Sequence, residues 1–146
     1  MNPAAIHLAL NNFPPIIDFA ALLVLAAGLF ARSSTVVRAA LALLLLASLI
    51  AVPVFLSGQR AQDVVKHLEG VNAAAIQPHE DAADWALGLF VTQGVVALAA
   101  LVMFRTREFA RWALALIVIV AAMTTMAAFR TAYLGGRIHH PEAHMK

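Results

Sequence analysis

The chain has 146 residues, of which 62% are hydrophobic and only 12% are charged, and its mean hydropathy is +0.84. A soluble domain of this size cannot hide so much apolar surface from water, so the composition excludes an ordinary soluble protein and predicts one membrane domain over residues 1–146. The absence of cysteine excludes disulfides, thiolate metal sites and a covalently attached c-type haem, and a net charge of +2 without a basic run gives no argument for nucleic-acid binding.

Four segments reach the roughly 20 apolar residues that a helix needs to cross the bilayer core. They cover residues of about 14–31, 35–56, 82–104 and 108–134. Inside lipid only helices and closed barrels satisfy their backbone hydrogen bonds, and these segments are too long for barrel strands. The sequence therefore predicts an all-α fold, an integral membrane four-helix up-down bundle.

Prolines and glycines indicate where these helices begin and end. Asn2 and Pro3 are typical of a helix start, so the first helix is expected to begin early and to be kinked at Pro14. At the other end of the chain, Gly135 and Gly136 are expected to end the fourth helix.

The connections between the segments differ in length. Residues 31–34 and 105–107 are short, so the first two and the last two segments should form antiparallel hairpins. The middle connection is long, and within its residues 59–69 the apolar residues recur at helical spacing, with charged residues between them. This pattern predicts a short amphipathic interfacial helix in the loop between helices 2 and 3, lying on the membrane surface.

Four crossings place both termini and the long connection at one end of the bundle, the terminal end, and the two short turns at the other, the turn end. Five basic residues are concentrated in or beside the short turns: Arg32, Arg38, Arg105, Arg107 and Arg111. Because basic residues close to helix ends favour the cytoplasmic side, we expect the turn end in the cytoplasm and both termini outside it.

All six histidines belong to the terminal end: His7, His67, His79, His139, His140 and His144. His67 and His144 are interpreted as surface residues. His7 opens the first helix, His79 opens the third, and His139 and His140 follow the fourth. Helices 1 and 3 are diagonal neighbours in an up-down bundle, so the imidazoles of His7 and His79 can face each other and take both axial positions of a haem iron. Without cysteine, that haem is haem b.

Arg130 lies about one turn inside the fourth segment, where a charge is costly and predicts a partner. A haem propionate is one candidate, and a carboxylate such as Asp18 or Glu80 is the other.

Two further interpretations stay open. The same cluster can hold a copper or zinc ion through His7, His79 and His139, since imidazole suits both metals. Alternatively, the chain is a non-enzymatic structural or accessory subunit of a larger membrane complex, in which the polar residues of the terminal end only cap helices and meet a partner.

Several short motifs occur in a fixed order along the chain. They are His-Leu-Ala-Leu-Asn-Asn-Phe-Pro at 7–14, Ser-Gly at 57–58, Leu-Glu-Gly-Val at 68–71, Pro-His-Glu-Asp-Ala-Ala at 78–83 and Tyr-Leu-Gly-Gly-Arg-Ile-His at 133–139. Together they cover nearly the whole chain and resemble a family of small bacterial four-helix membrane proteins of unknown function. Members of that family begin with a histidine and carry a second histidine, followed by Phe-Pro, five positions later.

The resemblance implies a multi-pass protein of the bacterial inner membrane with a role in electron transfer and a b-type haem. It also implies partners among c-type cytochromes or other membrane electron-transfer subunits. His7, His79 and His139 match the family's pattern. Asn12 stands where many members have the second histidine, and because asparagine is not a haem ligand, this departure weakens an interpretation with two haems.

Overall fold

The structure of the protein is a computed structural model that describes residues 3–66 and 70–139. Five α-helices and one short 3-10 helix form this part of the chain, and no strand occurs in it. The α-helices are α1 (Pro3–Leu10), α2 (Phe13–Phe30), α3 (Ser34–Val65), α4 (Ile76–Met103) and α5 (Arg111–His139), and the 3-10 helix is Ala73–Ala75. The predicted all-α class is confirmed.

Four stretches of helix are long and apolar enough to cross a membrane: Ala4–Phe30, Ser34–Gln62, Ala73–Met103 and Arg111–Ile138. The first of them combines α1 and α2. Large apolar side chains such as Phe30, Trp85 and Met126 remain exposed on the outside of the bundle, where lipid would cover them. These features are those of a multi-pass membrane protein.

Proline 14 begins a helix instead of kinking one. Helix α1 ends at Leu10, Asn11 and Asn12 form a turn, and α2 starts at Phe13 with Pro14 and Pro15 in its first turn. Proline is tolerated there because the first N–H groups of a helix have no intrahelical partner. The predicted first helix is therefore divided into two.

Three other boundaries also differ from the prediction. Helix α3 runs unbroken through Pro53 to Val65, so the range 59–69 holds the last part of α3 instead of a separate surface helix; residues 67–69 lie outside the described chain. Helix α4 begins at Ile76, before the predicted residue 82, and α5 continues through Gly135 and Gly136 to His139. In lipid the backbone has no water to bond with, so glycine alone does not end a helix there.

The helices close into a four-membered ring. Helix α2 packs on α3, α3 on α4, α4 on α5 and α5 on α2, which leaves α2 and α4 diagonally opposite; α1 packs on α3. Small residues allow the close approaches, since a Cβ at Gly28 would lie 3.0 Å from the Val37 nitrogen. The half nearer the turns is filled by buried aliphatic side chains, including Leu25 and Leu41.

The second half of the bundle repeats the first. Several residues of α3 have a counterpart in α5 that lies the same number of residues further along the chain. The pairs are Ala47 and Thr124, Ser48 and Thr125, Ala51 and Ala128, Gly58 and Gly135. The first three pairs are buried in both helices. Residues of α1–α2 and α4 match in the same way: His7 and His79, Asp18 and Phe90, Ala21 and Gln93, Leu25 and Ala97. Parallel repeats of this kind are expected to be related by an axis along the membrane normal, and His7 and His79 then hold equivalent positions in the two halves.

Candidate functional site

A cavity of about 440 Å³ lies between the helices at the terminal end. All five helices contribute to its wall, which is mostly alanine, glycine, proline and aliphatic side chains. Its polar lining residues are His7, Asn11, Asn12, His79 and Thr131. An apolar cavity of this size with a few polar groups is typical of a small-molecule or cofactor site.

His7 is held by α3. Its Nδ1–H donates to the Val54 carbonyl at 3.1 Å, and Ser57 Oγ, which donates to the same carbonyl, lies 3.3 Å from Nδ1. Because a carbonyl only accepts, this contact puts the ring proton on Nδ1 and leaves the Nε2 lone pair free for a ligand. The ring also lies against Gly58, where an added Cβ would be 2.9 Å from the histidine Cε1.

His79 is held by α5 in the same way. Its Nδ1–H donates to the Thr131 carbonyl at 3.0 Å. A Cβ added at Gly135, one turn after Thr131, would lie 3.0 Å from the histidine Cε1. Each half of the bundle thus provides a histidine, a backbone carbonyl that fixes its tautomer, and a glycine against which its ring packs.

The structure therefore brings His7 and His79 together at one cavity, each with Nδ1 bonded to a carbonyl. A histidine that binds a metal through Nε2 usually donates Nδ1–H to such an acceptor, which orients the ring and raises its basicity. What the cavity offers is a pair of oriented nitrogen donors at the wall of one apolar space.

Arg130 is not part of this site. Its side chain is exposed on the outside of α5, and it does not line the cavity, although the next residue, Thr131, does. Arg130 was expected to meet a partner inside the bundle, but the rotation of α5 places its side chain on the outside. Asp18, one of the partners considered for it, is bonded to Gln93 and Thr125 instead.

The other predicted ligands are only partly covered. His139 is the last residue of α5, but its side chain lies outside what the structure describes, as do His67, His140 and His144 entirely. Within residues 3–66 and 70–139 no group of three or more His, Asp or Glu side chains is arranged to hold a metal ion. Asn12 lines the cavity, so a histidine at this position would face the same space.

A buried polar layer lies beneath the cavity. Each of α2 to α5 contributes one residue to the cavity wall that has a buried polar residue about one turn deeper in the same helix. The pairs are Pro14 and Asp18, Ala51 and Ser48, Phe90 and Gln93, Ala128 and Thr125. This layer was not predicted from the sequence. Its signal was one polar residue at similar depth in each apolar segment.

Asp18 is the centre of the polar layer and is 0% exposed. Gln93 Nε2 donates to Asp18 Oδ1 at 2.6 Å, and the Thr125 hydroxyl donates to Asp18 Oδ2 at 2.6 Å. The same Gln93 nitrogen lies 3.3 Å from the Leu44 carbonyl and 3.4 Å from Ser48 Oγ. These contacts connect all four long helices. Gln93 Oε1 is buried and has no donor among the described residues.

No protein-family model, curated protein or solved structure matches the chain. The function is therefore inferred from the cavity and the residues around it.

Proposed function

We propose that the protein is a small membrane redox protein, similar to b-type cytochromes, that binds haem b between His7 and His79 and passes electrons. One observation carries the proposal: two histidines from the two repeated halves line the same apolar cavity, each with Nδ1 bonded to a backbone carbonyl. Bis-histidine ligation of a haem iron needs two such imidazoles on opposite faces of a planar ring.

The donor set suits haem better than a bare ion. A copper or zinc site usually needs three or four protein ligands, whereas the described part of this cavity offers two imidazoles. A macrocycle supplies the remaining iron ligands itself. Ala83, Ala86 and Ala132 line the cavity with small apolar side chains, and in the absence of cysteine a haem would be held by ligation and packing.

Haem supplies the one-electron chemistry, and the protein controls its surroundings. The Val54 and Thr131 carbonyls orient the two imidazoles and increase their basicity. Gly58 and Gly135 let each ring approach its neighbouring helix closely. Asn11, whose buried Oδ1 has no donor among the described residues, gives the cavity wall a polar contact for the edge of the ring.

The proposal includes a location in the bacterial inner membrane, with the cavity outside the cytoplasm. The arginines of the turn end support this orientation. Beside His79, the carboxylates of Glu80, Asp81 and Asp84 offer an acidic surface to a basic electron-transfer partner such as a c-type cytochrome.

Absorption spectra of the detergent-purified protein, oxidised and dithionite-reduced, test the proposal. We expect sharp reduced α and Soret bands, and we expect His7→Ala and His79→Ala each to abolish the low-spin spectrum. Arg130→Gln is the control, because this exposed side chain does not line the cavity.

A protein that stays colourless when expressed with ample haem contradicts the proposal, and so does a spectrum unchanged in both histidine variants. Metal analysis of the same sample identifies the alternative with copper or zinc. Colourless protein that co-purifies stoichiometrically with another membrane protein identifies an accessory subunit.

A further inference from the structure

We propose that Asp18 binds one proton when the haem is reduced and releases it when the haem is oxidised. The inference rests on the proposed function, because it requires a redox group in the cavity above the polar layer. It assigns a role to a buried ionisable side chain that haem ligation does not use.

The position of Asp18 is the first reason. Asp18 is fully buried one turn beneath Pro14, which lines the cavity. Its two hydrogen-bond partners, Gln93 and Thr125, likewise lie one turn beneath cavity-lining residues, Phe90 and Ala128. The carboxyl therefore lies close to the bound group but does not ligate it. At this depth water screens charges weakly, so a change of charge on the haem acts strongly on Asp18.

The hydrogen bonds around Asp18 suit both of its protonation states. As a carboxylate it accepts from the Gln93 amide and from the Thr125 hydroxyl. As a carboxylic acid its O–H donates to Thr125 Oγ1, because a hydroxyl can accept as well as donate. The proton can therefore come and go without any movement of the helices.

The charges around Asp18 are the third reason. The two groups bonded to Asp18 are neutral: the Gln93 amide from α4 and the Thr125 hydroxyl from α5. The α3 groups bonded to the same amide, the Ser48 hydroxyl and the Leu44 carbonyl, are neutral as well. His7 and His79 would ligate the iron as neutral imidazoles. The charge that Asp18 could balance would then be that of the haem iron.

With two neutral imidazoles, the iron and its porphyrin ring would together carry one positive charge in the ferric state and none in the ferrous state, while the propionates would be the same in both. An ionised Asp18 would balance the ferric charge. After one-electron reduction by an external donor, an unpaired buried carboxylate would remain, which is costly. Uptake of one proton from the aqueous phase converts the carboxylate to the acid, so that one electron and one proton enter together and the net charge is unchanged.

Two buried acceptors lie at the cavity and beside Asp18. Asn11 Oδ1 is in the cavity wall and Gln93 Oε1 is in the polar layer, and neither has a donor among the described residues. Buried acceptors of this kind are usually satisfied by water, which is also a proton carrier. A proton from the terminal end therefore has polar positions to pass on its way to the carboxyl.

The first test is the midpoint potential of the haem-loaded protein as a function of pH, measured by spectropotentiometry. We expect it to fall by about 59 mV per pH unit across part of the range, which is a tenfold change per unit for one electron. In Asp18→Asn, which keeps the shape of the side chain, the potential should become independent of pH. Glu108→Gln is the matched control, because Glu108 is an exposed carboxylate near the turn end that does not line the cavity, and it should keep the wild-type slope.

The second measurement is the reduced-minus-oxidised infrared spectrum, which detects the proton directly. A carboxylic acid C=O band should appear on reduction, shift in D₂O, persist in Glu108→Gln and be absent in Asp18→Asn. A potential that does not change with pH in the wild type, or a slope and C=O band retained in Asp18→Asn, overturns the inference while haem binding stands. Protein without haem bands overturns the proposed function and this inference with it.

Discussion

Adding one methyl group beside either histidine ring tests whether the two glycine contacts hold the site together. The changes are Gly58→Ala and Gly135→Ala. The matched control is Gly88→Ala in α4, where an added Cβ would meet no atom within 4 Å. All three glycines lie in helices, so the change in helix propensity is the same and only the steric contact differs.

The expected size of the effect follows from the distances. A Cβ at position 58 would lie 2.9 Å from His7 Cε1, whereas ordinary contact begins at 3.4 Å, so the ring must move by about 0.5 Å. Moving away from α3 lengthens the bond from Nδ1 to the Val54 carbonyl from 3.1 Å to about 3.6 Å, at which the hydrogen bond is lost.

The energy terms then oppose each other. Overpacking costs about 1–3 kcal/mol and the lost hydrogen bond about 0.5–1.5 kcal/mol, while replacing glycine by alanine in a helix returns about 1 kcal/mol. We therefore expect Gly58→Ala to be less stable than the wild type by about 1–3 kcal/mol, and Gly88→Ala to be unchanged or slightly more stable. Gly135→Ala should resemble Gly58→Ala, since its Cβ would lie 3.0 Å from His79 Cε1.

Two measurements check this prediction. Thermal unfolding of the purified protein reports the effect on packing. Titration with haem reports the effect on the site: if displacing the histidine costs about the same 1–3 kcal/mol in haem binding, the affinity falls by about 5- to 150-fold. If Gly58→Ala and Gly135→Ala behave like Gly88→Ala in both measurements, the histidine rings do not lie against these glycines.

Two further predictions concern the polar layer and the orientation. Replacing Gln93 by leucine removes the amide donor to Asp18 and should lower the free energy of unfolding by about 1–3 kcal/mol, as measured by thermal unfolding. Thr92→Val, at an exposed neighbour whose hydroxyl bonds the Gly88 carbonyl, should change stability little, and equal effects of the two variants would contradict the buried bond. Because the chain has no cysteine, the single variants Gln77→Cys and Thr106→Cys can be labelled with an impermeant thiol reagent in intact cells. Only Gln77→Cys should react if the terminal end lies outside the cytoplasm, and labelling of Thr106→Cys alone would show the reverse orientation.

The sequence predicted the helices well because their length is set by the bilayer. Four apolar segments, the short turns and the diagonal relation of the first and third helices all follow from that constraint. The same diagonal relation led to the pairing of His7 and His79 as candidates, and both of them line the cavity.

The rotation of each helix about its axis was not predictable in the same way. These helices are apolar on nearly all sides, so no polar face indicates which residues point inward. For this reason Arg130 was expected inside and lies outside, while the hydrogen bonds from Gln93 and Thr125 to Asp18 were not predicted. Gly135 was expected to end a helix because its packing against His79 depends on a tertiary contact that local sequence does not contain.

The repeated halves suggest what a single chain gains over two identical hairpins. A histidine, a carbonyl and a glycine recur in each half, so two copies of one hairpin around an axis would already assemble the ligand pair. Such a symmetric dimer would also carry two copies of the residue at position 18, and two buried carboxyls would repel each other. In the fused chain Phe90 occupies the position equivalent to Asp18, and Gln93 the position equivalent to Ala21. Fusion thus lets symmetric ligation coexist with a single, off-axis acid.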